Sequence, residues 1–446
     1  MAGGVMQLVK SDGSGGSGAQ MEYLIGNPEI SFFKTVYRRH TNFSMEWIQQ
    51  RDQNSNGKFG RRMEIVIDRV GDLLGAMHLE IEVPALMQAQ AGLTATGASA
   101  TSTWVGFCNS FGHAIIKTVD MQIGGQLIDR QYGDWLEIWS EISLDDSKQP
   151  GYRRMIGKHT TDIALQFNAV PNGCAAGSGS SSSAGTNKYR FRVPLQFWFN
   201  RCPGLYLPLI ALQYHEVRFT FDLRAPAELV RSDVNLIAPL DYAGQPWNAS
   251  DISLWANYVY LDTDERKKFV TQPHEILMEQ LQFNTGLGIA DRAENFSAQM
   301  EFNHPLKEFI WVLPDVTICE QEGNSLIGNT YFEYSPNGRD TFEFAKLVFN
   351  GNDRFDAKQS EYFRQAQTYE HHSRIPTKHI YVYSFGLKPE DMQPSGTCNA
   401  SRLDDITVNF TFDSACLNTN RQLRMYARNY NVLRIMSGQG GLAFSN

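Results

Sequence analysis

Apolar and polar residues alternate with a period of two along much of this chain. In His78–Val83, Leu79, Ile81 and Val83 share one side, and His78, Glu80 and Glu82 share the other. That alternation predicts a strand with one buried face and one wetted face. Met63–Asp68, Arg190–Val193, Glu216–Phe221, Glu308–Leu313, Phe342–Phe349 and His379–Ser384 repeat the pattern. Pro84, Pro194 and Pro314 follow three of these runs, where a ladder would end. Helical spacing is rare. Its clearest case is Asp134–Leu144, with Asp134 as the expected N-cap and Trp135, Ile138, Trp139 and Ile142 at helical intervals. Many short strands, long loops and few helices predict an all-β chain built from sandwiches or jelly rolls.

One strand pattern occurs twice. Val217–Asp222 reads VRFTFD and Val408–Asp413 reads VNFTFD. Each lies near the end of one half of a 446-residue chain, a length that suits two domains with cores of their own. The expected organisation is a flexible N-terminal arm over 1–24, a first sandwich over 25–224 and a second over 225–446, joined near Leu223–Val230. Residues 11–19 are rich in Gly and Ser and predict a tether. Residues 89–102 and 171–188 are rich in small residues and predict long surface loops.

Composition narrows the function. Aromatic residues make up 12% of the chain, and wide flat rings suit pleated surfaces. The net charge is −8. A protein that coats DNA needs surplus Lys and Arg to neutralise phosphates, so no direct nucleic-acid partner is expected. No apolar run approaches the roughly 20 residues of a membrane span. The N-terminus lacks a secretory apolar stretch, which predicts a cytoplasmic origin and reduced thiols for the six scattered cysteines.

Chemical motifs are sparse. Glu370-His371-His372 has metal-ligand residue types, but neighbours on a strand point to opposite faces, so a shared ion is not expected. Asp262-Thr263-Asp264 is read as a polar turn in preference to a cation site. Residues 13–18 match G-x-G-x-x-G only inside a repetitive tract, without the strand and helix a dinucleotide site needs. Neither a phosphate-binding G-x-x-x-x-G-K-[ST] loop nor a G-x-S-x-G elbow occurs. No catalytic residue, metal ligand or cofactor is therefore expected. From Lys34 to Arg69, eight Lys/Arg face four acids, and ion pairing within the fold or assembly is preferred to a partner beneath it. N-x-[ST] sequons stand at Asn42, Asn248, Asn295, Asn399 and Asn409. Asn248, Asn295 and Asn399 are kept as candidate glycosylation acceptors.

Several stretches carry a resemblance. Gly26-Asn27-Pro28, Phe32-Phe33-Lys34 and Tyr37-Arg38-Arg39-His40-Thr41-Asn42-Phe43 stand near the start. Leu207–Leu212 (LPLIAL), Pro394-Ser395-Gly396 with Asn399-Ala400-Ser401-Arg402, and Asn431–Gly441 (NVLRIMSGQGG) follow. Together with Met1–Val9 these resemble the major capsid proteins of the nucleocytoplasmic large DNA viruses. The Gly/Ser tract at 11–18, natural or engineered, departs from the family pattern. The resemblance implies two tandem eight-stranded jelly rolls and a homotrimer of pseudo-hexagonal outline. It also implies neighbouring capsomers in an icosahedral shell, minor capsid proteins beneath it, and a virion assembled in host cytoplasm. A closed ring buries its lateral contacts by symmetry. The alternative is a carbohydrate-active enzyme or surface lectin on tandem β-sandwiches, which would need a cleft with converging carboxylates.

Overall fold

The computed structural model describes residues 27–50, 57–86, 91–93, 99–101, 105–158, 188–232, 239–241, 245–289, 293–315, 331–335, 338–412 and 421–445. The expected arm over 1–24, its Gly/Ser tract and Gly26 lie outside them. The chain divides into two units, Met1–Asn42 and Phe43–Asn446. In the first, residues 27–42 form neither helix nor strand and are exposed throughout.

The second unit contains two sandwiches. In the first, one sheet runs in the order β1 (Phe43–Gln50), β13 (Asp251–Leu261), β3 (Leu73–Pro84) and β10 (Leu207–Pro208), with β9 (Lys188–Pro194) also on β3. The facing sheet runs β2 (Arg62–Val66), β11 (Val217–Leu223), β7 (Ile116–Ile123) and β8 (Gln126–Tyr132). In β3, Leu79, Ile81 and Val83 are buried, as their alternation predicts. Gly124 and Gly125 both take positive φ, 57° and 84°, and make the tight turn between β7 and β8. Two short pairs, β4 (Ala91–Leu93) with β5 (Ser99–Thr101) and β6 (Val105–Phe107) with β12 (Val230–Ser232), lie apart from these sheets.

The second sandwich repeats the plan. One sheet runs β14 (His274–Ile289), β23 (Arg421–Met436), β16 (Pro305–Val312) and β20 (Tyr381–Ser384), with β21 (Cys398–Asn399) on β16 and β24 (Gln439–Leu442) on β23. The other runs β15 (Asn295–Met300), β22 (Ile406–Thr411), β17 (Phe344–Phe349) and β18 (Asn352–Asp353), with β19 (Lys358–Gln359) on β17. The repeated pattern occupies equivalent places, because β11 and β22 each stand second in a four-strand order. Val217, Phe219 and Phe221 fill the first core, and Val408, Phe410 and Phe412 fill the second.

Two expectations shift. β13 pairs with β1 from Phe43↔Leu261 to Gln50↔Leu254, and with β3 from Asp251↔Glu82. Residues 251–261 therefore complete the first sandwich, although they lie beyond the expected join at 223–230. A jelly roll closes by returning its last strand between its first and third, and no local signal at residue 224 reveals that return. The N-cap of helix Gly133–Ser143 lies two residues earlier than expected, at Tyr132, and Asp134 stands in the first turn. A Cβ on Gly133 would meet the Ile116 and His113 carbonyl oxygens at 2.2 and 2.5 Å, so only glycine permits this sharp entry.

The two sandwiches share a face. In β16 and β23, Phe309, Trp311, Met425 and Ala427 enter the second core. Their neighbours Ile310, Val312 and Tyr426 join the first core instead. Alternate residues of the same strands thus serve two cores, and the sheet is covered on both sides.

Candidate functional site: the seam between the sandwiches

All of Gly133–Ile142 is buried, including Asp134, Glu137 and Glu141. These three acids fall at helical intervals on one side. Asp134 accepts from Nη1 of Arg424 on β23. Glu137 Oε1 accepts from Lys158 Nζ at 2.7 Å, Lys378 Nζ at 2.7 Å and Ser110 Oγ at 3.1 Å. Its Oε2 lies 2.7 Å from His113 Nδ1. Glu141 accepts from Lys158 and, at 3.0 Å, from the Thr377 hydroxyl. Burial alone would raise the Glu137 carboxyl, but the charges of Lys158 and Lys378 outweigh it and hold it well below the usual carboxylate range. Arg424, Thr377 and Lys378 come from the second sandwich, so one helix face binds the two halves together.

A second cluster lies beside the first. Two guanidinium groups lie over the Trp139 ring, Arg201 at 5.1 Å and Arg428 at 4.1 Å from its centroid. Arg428 donates to Glu308 Oε1 at 2.6 Å and to Glu279 Oε2 at 2.5 Å. Arg201, from the first sandwich, donates to the same Glu279 oxygen at 2.5 Å. Lys307 donates to the other oxygen of Glu279. His372 lies between Glu308 and Glu390, with each ring nitrogen 2.9 Å from a carboxylate oxygen. Burial opposes its charge, yet Glu308 and Glu390 raise its pKa to about 9. The charges of His372 and Arg428 overcome burial at Glu308 and bring it down to about 2. Asp129 accepts from the Leu281 backbone N–H at 3.1 Å across the seam, and burial raises its carboxyl to about 7.

A buried ion pair adds little over a well-packed apolar pair, but removing one partner costs about 3–5 kcal/mol. What the network supplies is register, because Arg424 with Asp134, Lys378 with Glu137 and Arg201 with Glu279 meet only at one relative placement of the sandwiches. Sequence reading missed it entirely. Arg424, Arg428 and Glu308 sit at alternate positions of strands, where charge reads as a wet face. The one available signal was the acidic spacing of Asp134, Glu137 and Glu141 on a helix otherwise lined with Trp and Ile.

The sequence-marked residues lie elsewhere. Asn27, Pro28, Phe32, Phe33, Tyr37, Arg38, Arg39, His40, Thr41 and Asn42 are exposed in the first unit, and Phe43 opens β1. Ser395 Oγ accepts from the Lys388 N–H at 3.0 Å and donates to the Lys388 carbonyl at 3.1 Å. Gly396 has φ 134°, with its carbonyl 2.9 Å from where a Cβ on Gly386 would stand. Pro394, Ser395 and Gly396 thus close a surface loop. Ser401 Oγ accepts from the His304 N–H at 2.8 Å, and Arg402 is exposed. Asn248 is half-buried, its Oδ1 accepting from the Phe59 and Ala249 N–H groups at 2.9 and 2.8 Å. Asn295 and Asn399 are exposed.

His371 and His372 are not strand neighbours. They end the helix Gln367–His371, where His371 faces the Leu387 carbonyl at 3.0 Å while His372 enters the ion network. Asp262 caps helix Thr263–Thr271, its side chain accepting from the Thr263 N–H at 2.7 Å. Cys108, Cys202 and Cys398 are free thiols, and the other three cysteines lie outside the described residues. Among the described residues, no group of His, Cys, Asp and Glu is placed to hold a metal, and no helix is long and apolar enough to cross a membrane.

Comparison with known proteins agrees with this geometry. Residues 31–262 match the family described as major capsid protein N-terminus, and residues 265–441 match large eukaryotic DNA virus major capsid protein. The major capsid protein of Pyramimonas orientalis virus is 40% identical over the whole of both chains, and that of Paramecium bursaria Chlorella virus 1 is 35% identical over the same extent. The quasi-atomic model of the PBCV-1 virus capsid superposes with a TM-score of 0.73 at 33% identity, covering 93% of this chain and 100% of that one. The Faustovirus major capsid protein shares the fold with a TM-score of 0.68 at 14% identity. The enzyme or lectin alternative finds no support among these relatives. Two tandem jelly rolls locked by a charged seam, matched along their length to shell proteins, place this chain in the family of large eukaryotic DNA virus major capsid proteins, structural subunits of the icosahedral capsid.

Proposed function

We propose that three copies of this chain close into a trimeric capsomer of pseudo-hexagonal outline that tiles the shell beside identical neighbours. The observation that carries this reading is the doubled plan: two sandwiches of equivalent strand order, held at one relative placement by the seam. Three such chains present six similar blocks, which suits a hexagonal tile made by three-fold closure. Each lateral contact then needs only modest strength, because many act together. In this reading the division between the sandwiches falls at helix Thr263–Thr271, after β13 has returned to the first sheet.

The same reading makes the chain a scaffold without catalysis, assembled in host cytoplasm and resting on minor capsid proteins beneath the shell. Nucleic acid is not a direct partner, in keeping with the net charge of −8. Asn295 and Asn399, being exposed, are better placed as glycosylation acceptors than half-buried Asn248. Native mass spectrometry tests the trimer. A species of about 150 kDa, three times the 50.4 kDa chain, is expected. A monomer across micromolar concentrations would overturn the proposal.

A further inference from the structure

Residues 27–42 carry a surface that water alone does not suit. Ile30, Phe32, Phe33, Val36 and Tyr37 are 71–100% exposed within a span of eight residues. Apolar density of this kind marks a contact surface. Between these side chains stand Lys34, Arg38 and Arg39 against the single acid Glu29, a net charge of +2. The chain totals −8, which leaves −10 on all its other residues. The segment is thus basic and aromatic, and every copy of this protein is otherwise acidic.

We propose that residues 27–42 dock on the acidic body of a second copy of this chain, as an exchanged arm. Aromatic residues and Arg are the types enriched where proteins meet, and opposite net charge favours the encounter. The segment's backbone also speaks for a protein receiver. It forms no helix, so its N–H and C=O groups lack helical partners. A peptide lying on lipid satisfies those groups by coiling into an amphipathic helix, whereas an extended peptide satisfies them on the backbone of another protein. The inference rests on the capsomer reading and names the segment that links its copies.

The test uses the full-length chain carrying Phe33→p-benzoylphenylalanine, irradiated alone and with phosphatidylserine/phosphatidylcholine vesicles. The expected result is a denaturation-resistant adduct of two chains, with or without vesicles. Adding Lys34→Glu, Arg38→Glu and Arg39→Glu is expected to lower its yield about fivefold. Trimer mass with adducts only within single chains overturns the arm exchange and leaves the capsomer standing. Trimer mass with adducts to lipid overturns it in favour of a membrane contact. Monomer mass without two-chain adducts overturns both readings.

Discussion

The Arg428 guanidinium lies 4.1 Å from the centroid of the Trp139 ring, so strand β23 of the second sandwich rests its charge on a helix of the first. Arg428 also holds Glu279 and Glu308. Replacing it, as in Arg428→Met, keeps much of the packing but leaves Glu308 and Glu279 short of a cation in a buried site. The expected loss is about 3–5 kcal/mol, read as a lower urea midpoint. Adding Glu308→Gln to Arg428→Met is expected to recover part of it, because one uncompensated carboxylate disappears. An unchanged midpoint in the single variant would show that the seam does not depend on this charge.

His372 gives the seam a pH dependence of definite sign. Its pKa in the folded chain is raised from 6.5 to about 9 by Glu308 and Glu390 against the effect of burial. Its contribution is therefore complete below pH 6.5 and is lost as pH rises through 9. The shift corresponds to about 3 kcal/mol. The penalty of His372→Gln should accordingly be largest near pH 6 and shrink towards pH 10 in paired urea titrations. A penalty that does not vary with pH would mean that the ring is neutral throughout.

Asp129 has the opposite effect over a lower range. Burial raises its carboxyl from 3.8 to about 7, so the unfolded chain ionises first. Stability is then drawn down as pH rises from about 4 to 7, and stays reduced above that. The groups around it are the Leu281 and Arg130 N–H groups, the Gln131 side chain and the Arg201 charge, all of which favour ionisation less strongly than burial opposes it. Asp129→Asn keeps the acceptor for Leu281 and removes the titration. It should be more stable than the parent at pH 8 and nearly equal to it at pH 4. A variant less stable at pH 8 would show that the carboxylate is charged and satisfied in place.

Phe219 and Phe410 test the repeated strand. Phe219 lies opposite Ile65 and Met121, and Phe410 opposite Phe296 and Ala345. Both are fully buried. Phe219→Asp or Phe410→Asp puts an unpaired charge in a core and is expected to prevent soluble folding, as is Val217→Asp, since such costs rival a total stability of about 5–15 kcal/mol. Soluble protein with native far-ultraviolet dichroism from any of the three would refute the facing assigned to that strand.

Much of the architecture was legible in residue order. Leu79, Ile81 and Val83 announced a buried face, and Phe219 with Phe410 announced a doubling, because period two assigns side chains to faces whatever lies beyond them. The family followed from motifs such as Tyr37–Phe43 and Asn431–Gly441, which extend from one end of the chain to the other. His371 and His372 were misread as strand neighbours, although the helix Gln367–His371 continues from a π-helical turn over Tyr362–Ala366. Its buried side is Phe363, Gln367 and Thr368, and two polar residues leave no apolar period to read.

What residue order determined was which side chains share a face. What lies against that face was settled only by tertiary structure. Arg424 meets Asp134 across 290 residues of chain, and Arg428 meets Glu308 across 120. Charges at alternate strand positions have the same pattern whether they face water or a counter-charge. The difference lies in the position of a remote segment, which hydrophobic periodicity does not encode. The join was hidden for the same reason: β13 returns to its sheet through ladders with β1 and β3, and both partners are distant in sequence.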